Sequence, residues 1–197
     1  MNYFIKNDYI CNIQEVPCDL SNQTKEQAME NQKYVYEIAK TLCKNNILDI
    51  GCGSGHKLIE IFEDKKTLGL EVEPNLEMCK KNYPHRKWQY ANYTNTFEYF
   101  DTIICADVIE HVVDPDVIMS FIKNMNPQNI IMSTPDRNLV KIIVPVEWDI
   151  RNGPPFNKSH IREWTVDEFL NYFKSWFDSY NITYKNIIHT TIIIATK

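Results

Sequence analysis

The sequence predicts an α/β fold with a doubly wound, mostly parallel sheet and an antiparallel hairpin at its C-terminal end. Three observations support this prediction. Short apolar runs alternate with segments of helical periodicity through most of the chain, which is typical of parallel sheets covered by helices. A glycine-rich turn joins the first of these runs to a helix. The last two apolar runs are separated by too short a connection for a crossover, which leaves an antiparallel hairpin.

A glycine-rich turn after the first predicted strand is the strongest candidate for a ligand-binding site. The strand ILDI ends at Ile50, and helical periodicity resumes with Leu58. Backbone can approach a nucleotide-like ligand closely at such a turn, because glycine has no Cβ and adopts positive φ at little cost. Asp49 favours a cationic ligand, and Glu71 at the end of the second strand can bind a ribose diol. The predicted binding residues here are Asp49, Gly51, Cys52, Gly53, Gly55 and Glu71.

Helix caps and apolar periodicity predict the secondary structure of the first half of the chain. Residues 1–23 have mixed composition and are either a loose tail or a flap over the ligand. Thr24 and Gln27 predict a capping box. In the helix after it, Tyr34 and Tyr36 are expected to pack in the core or on the surface, with the active site as the alternative. The other elements predicted in this half are a strand at 66–71, a helix from Pro74 and a strand around 87–91.

The second half of the chain contains two clear helix starts. Asp114 caps a helix that begins at Pro115, and Thr165 with Glu168 predicts a second capping box. The stretch 134–164 is too long for a simple connection, so it is interpreted as a lid. The predicted strands are at 101–105, 129–133 and 189–196, with one more just before the last.

Four blocks of sequence stand in an order that is typical of one enzyme family. They are ILDIGCGSG (47–55), GLEVEP (69–74), FDTIICADVIEHVVDP (100–115) and IIMSTPDR (130–137). Together they resemble the class I S-adenosylmethionine (SAM)-dependent methyltransferases over most of the chain. The resemblance implies a Rossmann-like sheet of seven strands, a single domain over 1–197 with an N-terminal flap and helix at 1–45, and SAM as cofactor. It also implies cofactor contacts from Asp107 and from Asn92, which stands where the family often has an acidic residue.

Acidic and histidine side chains follow the fourth predicted strand and recur in the lid. Asp107, Glu110 and His111 are spaced over one helical turn, and His160 follows in the lid. These four residues are the predicted catalytic group, with a histidine as general base for an acceptor hydroxyl. Some hydroxyl-directed members of the family carry a similar E-x-x-E-H and bind a divalent ion there, so Mg²⁺ or Mn²⁺ at these residues is the alternative. We expect no metal, because an E-H pair after this strand also occurs in relatives without one.

The lid supplies the predicted acceptor-binding residues. It combines aromatic, arginine and histidine side chains, which suit a small polar acceptor such as a sugar, because aromatic faces stack on sugar rings. The stretch GPPFNKSHIREWTVDEF (153–169) is also similar to methyltransferases encoded beside glycan and nucleotide-sugar enzymes, which implies a sugar-derived hydroxyl. The residues concerned are Trp148, Arg151, His160, Arg162 and Trp164.

Composition argues against several other classes of protein. The chain of 197 residues carries a net charge of −5 without a block of lysine or arginine, which argues against a nucleic-acid partner. No apolar run has membrane-spanning length and no signal sequence is evident, so a cytoplasmic protein without a membrane partner is expected. Six cysteines without a C-x-x-C pair indicate reduced thiols and no zinc site. The oligomeric state is not predicted.

Two other functions remain open on the sequence. A nicotinamide-dependent oxidoreductase would also place Glu71 on a ribose, but its fingerprint requires a glycine where this chain has His56. A catalytically silent SAM-binding subunit would not need the group after the fourth strand, whereas Asp107, Glu110 and His111 are all present. We therefore favour an active methyltransferase.

Overall fold

A seven-stranded sheet forms the centre of the computed structural model, which describes residues 3–12, 18–20, 22–30, 32–63, 66–95, 97–140 and 151–197. The strands are β1 (Asn46–Ile50), β2 (Lys66–Glu71), β3 (Lys87–Tyr90), β4 (Thr102–Ala106), β5 (Asn129–Pro135), β6 (Asn181–Ile187) and β7 (Thr190–Thr196). They lie in the order β3-β2-β1-β4-β5-β7-β6. The first five are parallel, and β7 pairs antiparallel with both β5 and β6. The predicted fold class is thereby confirmed.

Six α-helices and a short 3₁₀ helix occur in the described parts of the chain. They are α1 (Lys25–Glu30), α2 (Lys33–Leu42), α3 (His56–Ile61), α4 (Asn75–Asn82), the 3₁₀ helix Ile109–His111, α5 (Pro115–Met125) and α6 (Val166–Phe177). Both predicted caps in the second half are present. The Asp114 carboxylate accepts from the amide of Asp116 at 3.1 Å, and Thr165 and Glu168 form a capping box. None of these helices has the length and apolar character needed to cross a membrane.

Apolar side chains cover both faces of the sheet. One layer packs α5 and α6 on the sheet and includes Trp164 and Phe169. The other layer packs α2, α3 and α4 and includes Tyr36 and Phe62. Strand β4 is buried along its whole length, as expected for a parallel strand covered on both faces. Because β1, β2 and β4 are parallel, their carboxyl ends open at one edge of the sheet, where ligands of such folds bind.

The first predicted helix is divided in two. Its capping box is present, since the Thr24 amide donates to Gln27 Oε1 at 3.0 Å and the Gln27 amide donates to Thr24 Oγ1 at 3.2 Å. Gln32, however, takes a φ of 52° and separates α1 from α2. Its side chain donates to Asp107 Oδ2 at 3.1 Å. The break therefore directs a polar side chain toward the carboxyl end of β4.

The structure describes only part of the segment predicted to be a lid, residues 134–164. Strand β5 continues to Pro135, beyond its predicted end, and Asp136 forms an isolated bridge with Trp164. Residues 141–150 lie outside the described ranges. The described remainder, 151–164, packs against the N-terminal residues and the carboxyl end of β4.

Candidate active site

The glycine-rich turn between β1 and α3 adopts a conformation that glycine takes with little strain. Gly51, Gly53 and Gly55 have φ of 69°, 59° and 74°. A Cβ on Gly51 would lie 2.5 Å from Val108 Cγ2, so a larger residue would displace the chain after β4. The Gly53 amide donates to Glu71 Oε2 at 2.6 Å. The structure thus brings the turn and the carboxylate at the end of β2 together.

Asp49 is a fully buried carboxylate in β1, beside this turn. Tyr36 donates its phenolic hydrogen to Asp49 Oδ2 at 2.9 Å. Asp49 Oδ1 has no hydrogen-bond partner among the residues that the structure describes. Burial raises the pKa of Asp49 to about 7, because the ionised form is poorly solvated there. A buried acceptor without a partner is a suitable counter-group for a cationic ligand.

These residues fit SAM, which carries a sulfonium and an ammonium group. The turn around buried Cys52 packs closely against Val108, Leu20 and Trp88, and a Cβ on its glycines would clash with these side chains. Asp49 offers an unsatisfied oxygen for positive charge. Burial raises the pKa of Glu71, although the amides of Gly53 and Val72 oppose this by donating to its carboxylate. Its two oxygens are therefore held at the end of β2, where a ribose diol binds in folds of this kind.

Residues 18–20 lie against the same turn. Leu20 Cδ1 stands 2.9 Å from the position that a Cβ on Gly53 would take. The Asn75 side chain holds this short segment, because it accepts from the Leu20 amide at 3.0 Å and donates to the Cys18 carbonyl at 2.8 Å. Residues 18–20 therefore pack on the glycine-rich turn, which is consistent with the prediction of a flap.

Asp107 follows β4 directly and takes a φ of 53°, which is uncommon for a residue other than glycine. Ser133 donates to Asp107 Oδ1 at 2.6 Å, and Gln32 donates to Oδ2. Burial raises the pKa of Asp107, while these two donors oppose the rise. The side chain is thus fixed by neutral donors from β5 and from the joint between α1 and α2.

Asn92 is the predicted cofactor contact with the least support from its surroundings. It is exposed, and its Oδ1 accepts from the amide and the hydroxyl of Thr94 at 3.0 and 2.8 Å. A carbonyl oxygen has two lone pairs, so these bonds use its acceptor capacity. Contact with an adenine amino group would have to replace one of them.

Glu110, His111 and His160 bring metal-ligating atoms together beyond β4. One such atom from each residue lies within 4.8 Å of the others. Glu110 is fully buried and its Oε1 has no partner among the described residues, so burial raises its pKa well above the usual range. The two imidazole rings meet edge to face, with centroids 4.8 Å apart. Asp107, the fourth member of the predicted catalytic group, is not part of this cluster.

Hydrogen-bond partners define the tautomers of both imidazoles. His111 Nδ1 lies 2.8 Å from the Ser159 carbonyl oxygen, which only accepts, so Nδ1 carries the proton. Burial lowers the pKa of His111 to about 4, and the ring is neutral near pH 7. His160 Nδ1 donates to Glu163 Oε1 at 2.6 Å. The remaining nitrogen of His160, Nε2, accepts from the Asn157 side chain at 2.9 Å.

Residues 3–12 hold the segment that carries this second histidine. The Asn12 side chain donates to the His160 carbonyl at 2.6 Å. The Tyr9 hydroxyl accepts from the Glu163 amide at 3.0 Å. The N-terminal residues thereby fix the backbone of both members of the imidazole–carboxylate pair.

A cavity of about 310 Å³ opens beside the cluster. Its walls come from the joint between α1 and α2, the carboxyl end of β4, the segment 156–163 and the tip of the β6–β7 hairpin. Asp107, His160 and Glu163 reach it, whereas His111 is not among the residues that line it. Tyr34 lines the cavity as well, and so takes the active-site alternative, while Tyr36 packs in the core.

Two residues predicted to bind the acceptor are structural instead. Arg162 is buried and donates to the carbonyls of Val112 and Val113, both at 2.7 Å. Trp164 has no exposed surface and stacks on Tyr172, with centroids 5.9 Å apart. Neither lines the cavity. The interpretation of both as acceptor contacts is therefore corrected: they hold the segment 151–164 on the fold.

The rest of the predicted acceptor set is divided. His160 lines the cavity, Arg151 is exposed and does not line it, and Trp148 lies outside the described residues. Sequence reasoning missed Gln32 and the hairpin tip at 187–190. Gln32 reaches the cavity because of the break between α1 and α2, and the hairpin tip reaches it through strand pairing. No local sequence pattern predicts the break or the pairing.

The raised pKa of Asp49 predicts that SAM affinity depends on pH. A cationic ligand stabilises the ionised carboxylate, so binding releases a proton wherever the free protein is protonated. We expect the Kd for SAM to fall about ten-fold between pH 6 and pH 8, which titration calorimetry measures together with the released proton. The cofactor-free fold itself should lose stability as the pH rises toward 7, since its raised pKa favours the protonated form. Asp49→Asn should bind more weakly and without this pH dependence; an unchanged profile would contradict the assignment.

Comparison with known proteins agrees with this geometry. A model of the methyltransferase domain family matches residues 21–180. The chain is 26% identical over 170 residues to the ubiquinone biosynthesis O-methyltransferase of Proteus mirabilis (strain HI4320), covering 79% of this chain and 68% of that protein. The fold is similar to that of the small RNA methyltransferase HEN1, with a TM-score of 0.70 and 17% identity over 93% of this chain and 26% of that one. It is also similar to magnesium protoporphyrin IX methyltransferase from Synechocystis PCC 6803 with bound S-adenosylhomocysteine, with a TM-score of 0.64 and 13% identity over 93% and 90% of the two chains.

The family match favours a methyltransferase over the nicotinamide-dependent enzyme that the sequence leaves open. It extends from residue 21, before α1, to residue 180, just beyond α6, and includes the whole glycine-rich turn; it gives no support to a nicotinamide-dependent enzyme. Because it spans most of the chain, this protein belongs to the methyltransferase domain family and is an enzyme with SAM as its cofactor.

Proposed function

We propose that the enzyme transfers the methyl group of SAM to a hydroxyl of a small molecule bound in the cavity. The observation that carries this proposal is the position of His160, which lines the cavity while Glu163 holds its Nδ1–H. An acceptor hydroxyl must lose a proton as its oxygen is methylated, and an imidazole whose Nδ1–H is held by a carboxylate can accept that proton at Nε2. The similarity to an O-methyltransferase supports oxygen as the acceptor atom.

Bound SAM supplies an electrophilic methyl group, and the residues of the chain orient the acceptor and move its proton. Glu163 fixes the His160 tautomer, so that Nε2 carries the basic lone pair. In the proposed complex the acceptor hydroxyl replaces Asn157 as the donor to Nε2. His111 is the poorer base, because its pKa of about 4 makes its lone pair weakly basic and it lies outside the cavity lining. Holding the oxygen in line with the methyl group supplies much of the remaining rate.

A divalent cation at Glu110, His111 and His160 is the second candidate mechanism. The buried Oε1 of Glu110 has no partner, and a cation there would allow this carboxyl group to ionise. Both histidines donate their Nδ1–H to an oxygen, an arrangement that metal-ligating histidines commonly show. Such an ion would lower the pKa of the acceptor hydroxyl and so replace the base.

Chelation separates the two mechanisms. With an acceptor that gives turnover, methyl transfer is measured as S-adenosylhomocysteine production before and after exhaustive EDTA treatment. Activity that survives EDTA supports the base. Activity that is lost and returns with Mg²⁺ or Mn²⁺ supports the metal, while added Zn²⁺ controls for non-specific binding. SAM binding by calorimetry without turnover of any acceptor in a broad panel would support the silent-subunit alternative and overturn this proposal.

The chemical class of the acceptor molecule is inferred from charge and from the aromatic lining of the cavity. The proteins of similar fold named above act on different substrates, a small RNA in one case and a porphyrin in the other, so the fold does not select one. The chain's net charge of −5 favours a small molecule over RNA. A sugar-derived hydroxyl remains our proposal for the class, with support from Tyr34 and Phe156, two aromatic side chains that line the cavity.

A further inference from the structure

The charge of the cavity lining restricts the acceptor further. Three carboxylates, of Glu30, Asp107 and Glu163, line the cavity. No lysine or arginine is among the described residues that line it. The nearest pairing of Glu30 is with Lys33, and its 3.9 Å separation is long for an ion pair. Glu163 is paired with His160, and Asp107 is held by neutral donors. A phosphate or carboxylate on the acceptor would therefore meet repulsion without a compensating cation from the described part of the lining.

The rest of the lining is largely apolar. Val35 and Val140 line one part of the cavity, and Ile187, Ile188 and Ile192 come from the hairpin. Hydrocarbon side chains such as these offer an acceptor little hydrogen bonding and are best covered by an apolar surface. Polar side chains from the same elements, among them Gln32 and His189, also line the cavity. The lining thus offers polar groups for the reacting atom together with apolar surface for the remainder of the molecule.

The backbone conformation and the exposure of Ile188, at the hairpin tip, are a second observation that favours an apolar acceptor. Ile188 takes a φ of 59°, a conformation that is a genuine outlier for a β-branched residue, and 71% of its surface is exposed. An asparagine or glycine would adopt this backbone with less strain and would not expose hydrocarbon to water. Strained residues of this kind cluster at ligand sites, where a contact compensates for the strain.

We propose that the acceptor is an uncharged or cationic molecule with an apolar body, and that Ile188 contacts this body. The inference rests on the proposed function, because it takes the cavity as the acceptor site. A sugar meets the description only if it carries no phosphate and presents an apolar face. Nucleotide-linked sugars and other phosphorylated acceptors are excluded.

Three probes that share one apolar body test the charge preference. They are 2-phenylethylamine, 2-phenylethanol and 2-phenylethyl phosphate, titrated by saturation-transfer NMR into the protein loaded with S-adenosylhomocysteine. We expect the amine and the alcohol to bind at least about ten-fold more tightly than the phosphate. Phosphate binding equal to or tighter than that of the alcohol would overturn the inference, and so would failure of all three to bind. Absence of S-adenosylhomocysteine binding, checked first by calorimetry, would instead count against the proposed function.

The variant Ile188→Asn tests the apolar contact in a way that separates it from folding. Relief of the backbone strain should raise the Tm by about 2 to 4 °C. Loss of the contact should weaken binding of the amine and the alcohol about five-fold, with S-adenosylhomocysteine affinity unchanged. Val117→Asn, which removes another exposed branched side chain on α5, is the control and should leave probe binding unaltered. Probe affinity that is unchanged in Ile188→Asn would contradict the proposed contact.

Discussion

Gly53→Val is expected to abolish SAM binding while the sheet remains folded. The residue has a φ of 59°, where a β-branched side chain is strongly disfavoured. Its amide donates to Glu71 Oε2, and a shift of the turn would break this bond and move the carboxylate at the end of β2. The added methyl groups would also occupy the space that leaves the backbone open to a ligand. Titration calorimetry with SAM measures the effect, and circular dichroism with urea unfolding reports the fold.

A second glycine provides the control for backbone strain. Gly153 has a φ of 73° and lies outside the cofactor turn, against the Ile10 carbonyl and the Tyr9 ring. Gly153→Ala should lower the Tm and leave the Kd for SAM near its original value. The milder Gly53→Ala should weaken SAM binding more than Gly153→Ala, although Gly153→Ala should cost more stability because its Cβ would lie 2.1 Å from the Ile10 carbonyl oxygen. Wild-type affinity in Gly53→Val would show that the turn does not hold the cofactor.

Loss of the His160 side chain should reduce kcat by a factor on the order of 10² to 10⁴, the usual contribution of a general base. SAM affinity should change little, because the ring lies in the acceptor cavity and not at the glycine-rich turn. His160→Ala is compared with the native enzyme by S-adenosylhomocysteine production and by calorimetry. His85→Ala, at an exposed position, controls for removal of an imidazole elsewhere.

Substitutions of Glu163, the hydrogen-bond partner of His160, should reduce activity by different amounts. Glu163 accepts the Nδ1–H, and a glutamine oxygen can still accept it, although without the charge that favours proton uptake. Glu163→Gln should therefore retain more activity than Glu163→Ala. Equal loss in both would contradict this gradation and indicate that a neutral acceptor at Nδ1 cannot replace the charge of the carboxylate.

Local patterns predict which of the proposed cofactor residues the structure brings together. The glycines and Asp49 belong to one continuous strand–turn–helix unit, so their spacing alone places them together. Glu71 ends the neighbouring parallel strand, and parallel pairing brings it to the same edge. The capping boxes at Thr24 and Thr165 are equally local and are present as predicted.

The acceptor half could not be predicted in the same way, because its residues meet through tertiary contacts. An arginine and a tryptophan in a long connection look like ligand contacts in a sequence. Arg162, however, donates to two backbone carbonyls, and acceptors of this kind cannot be recognised from the types of residue in a sequence. Ile188 reaches the cavity only because β7 pairs antiparallel with β5 and carries the hairpin tip beside Asp136. Burial of Trp164 depends likewise on α6 and on the N-terminal Tyr3, whose carbonyl accepts from its indole.

Two described parts of the N-terminal region, residues 3–12 and 18–20, contact the proposed acceptor site and the glycine-rich turn respectively, which has a consequence for the order of substrate binding. Leu20 rests on the cofactor turn at Gly53, while Tyr9 and Asn12 hold the backbone around His160. We expect SAM binding at the turn to displace Leu20, so that occupation of the cofactor site is coupled to the packing of the N-terminal region. The expected consequence is an ordered reaction in which SAM binds before the acceptor, and product-inhibition kinetics with S-adenosylhomocysteine measure this order.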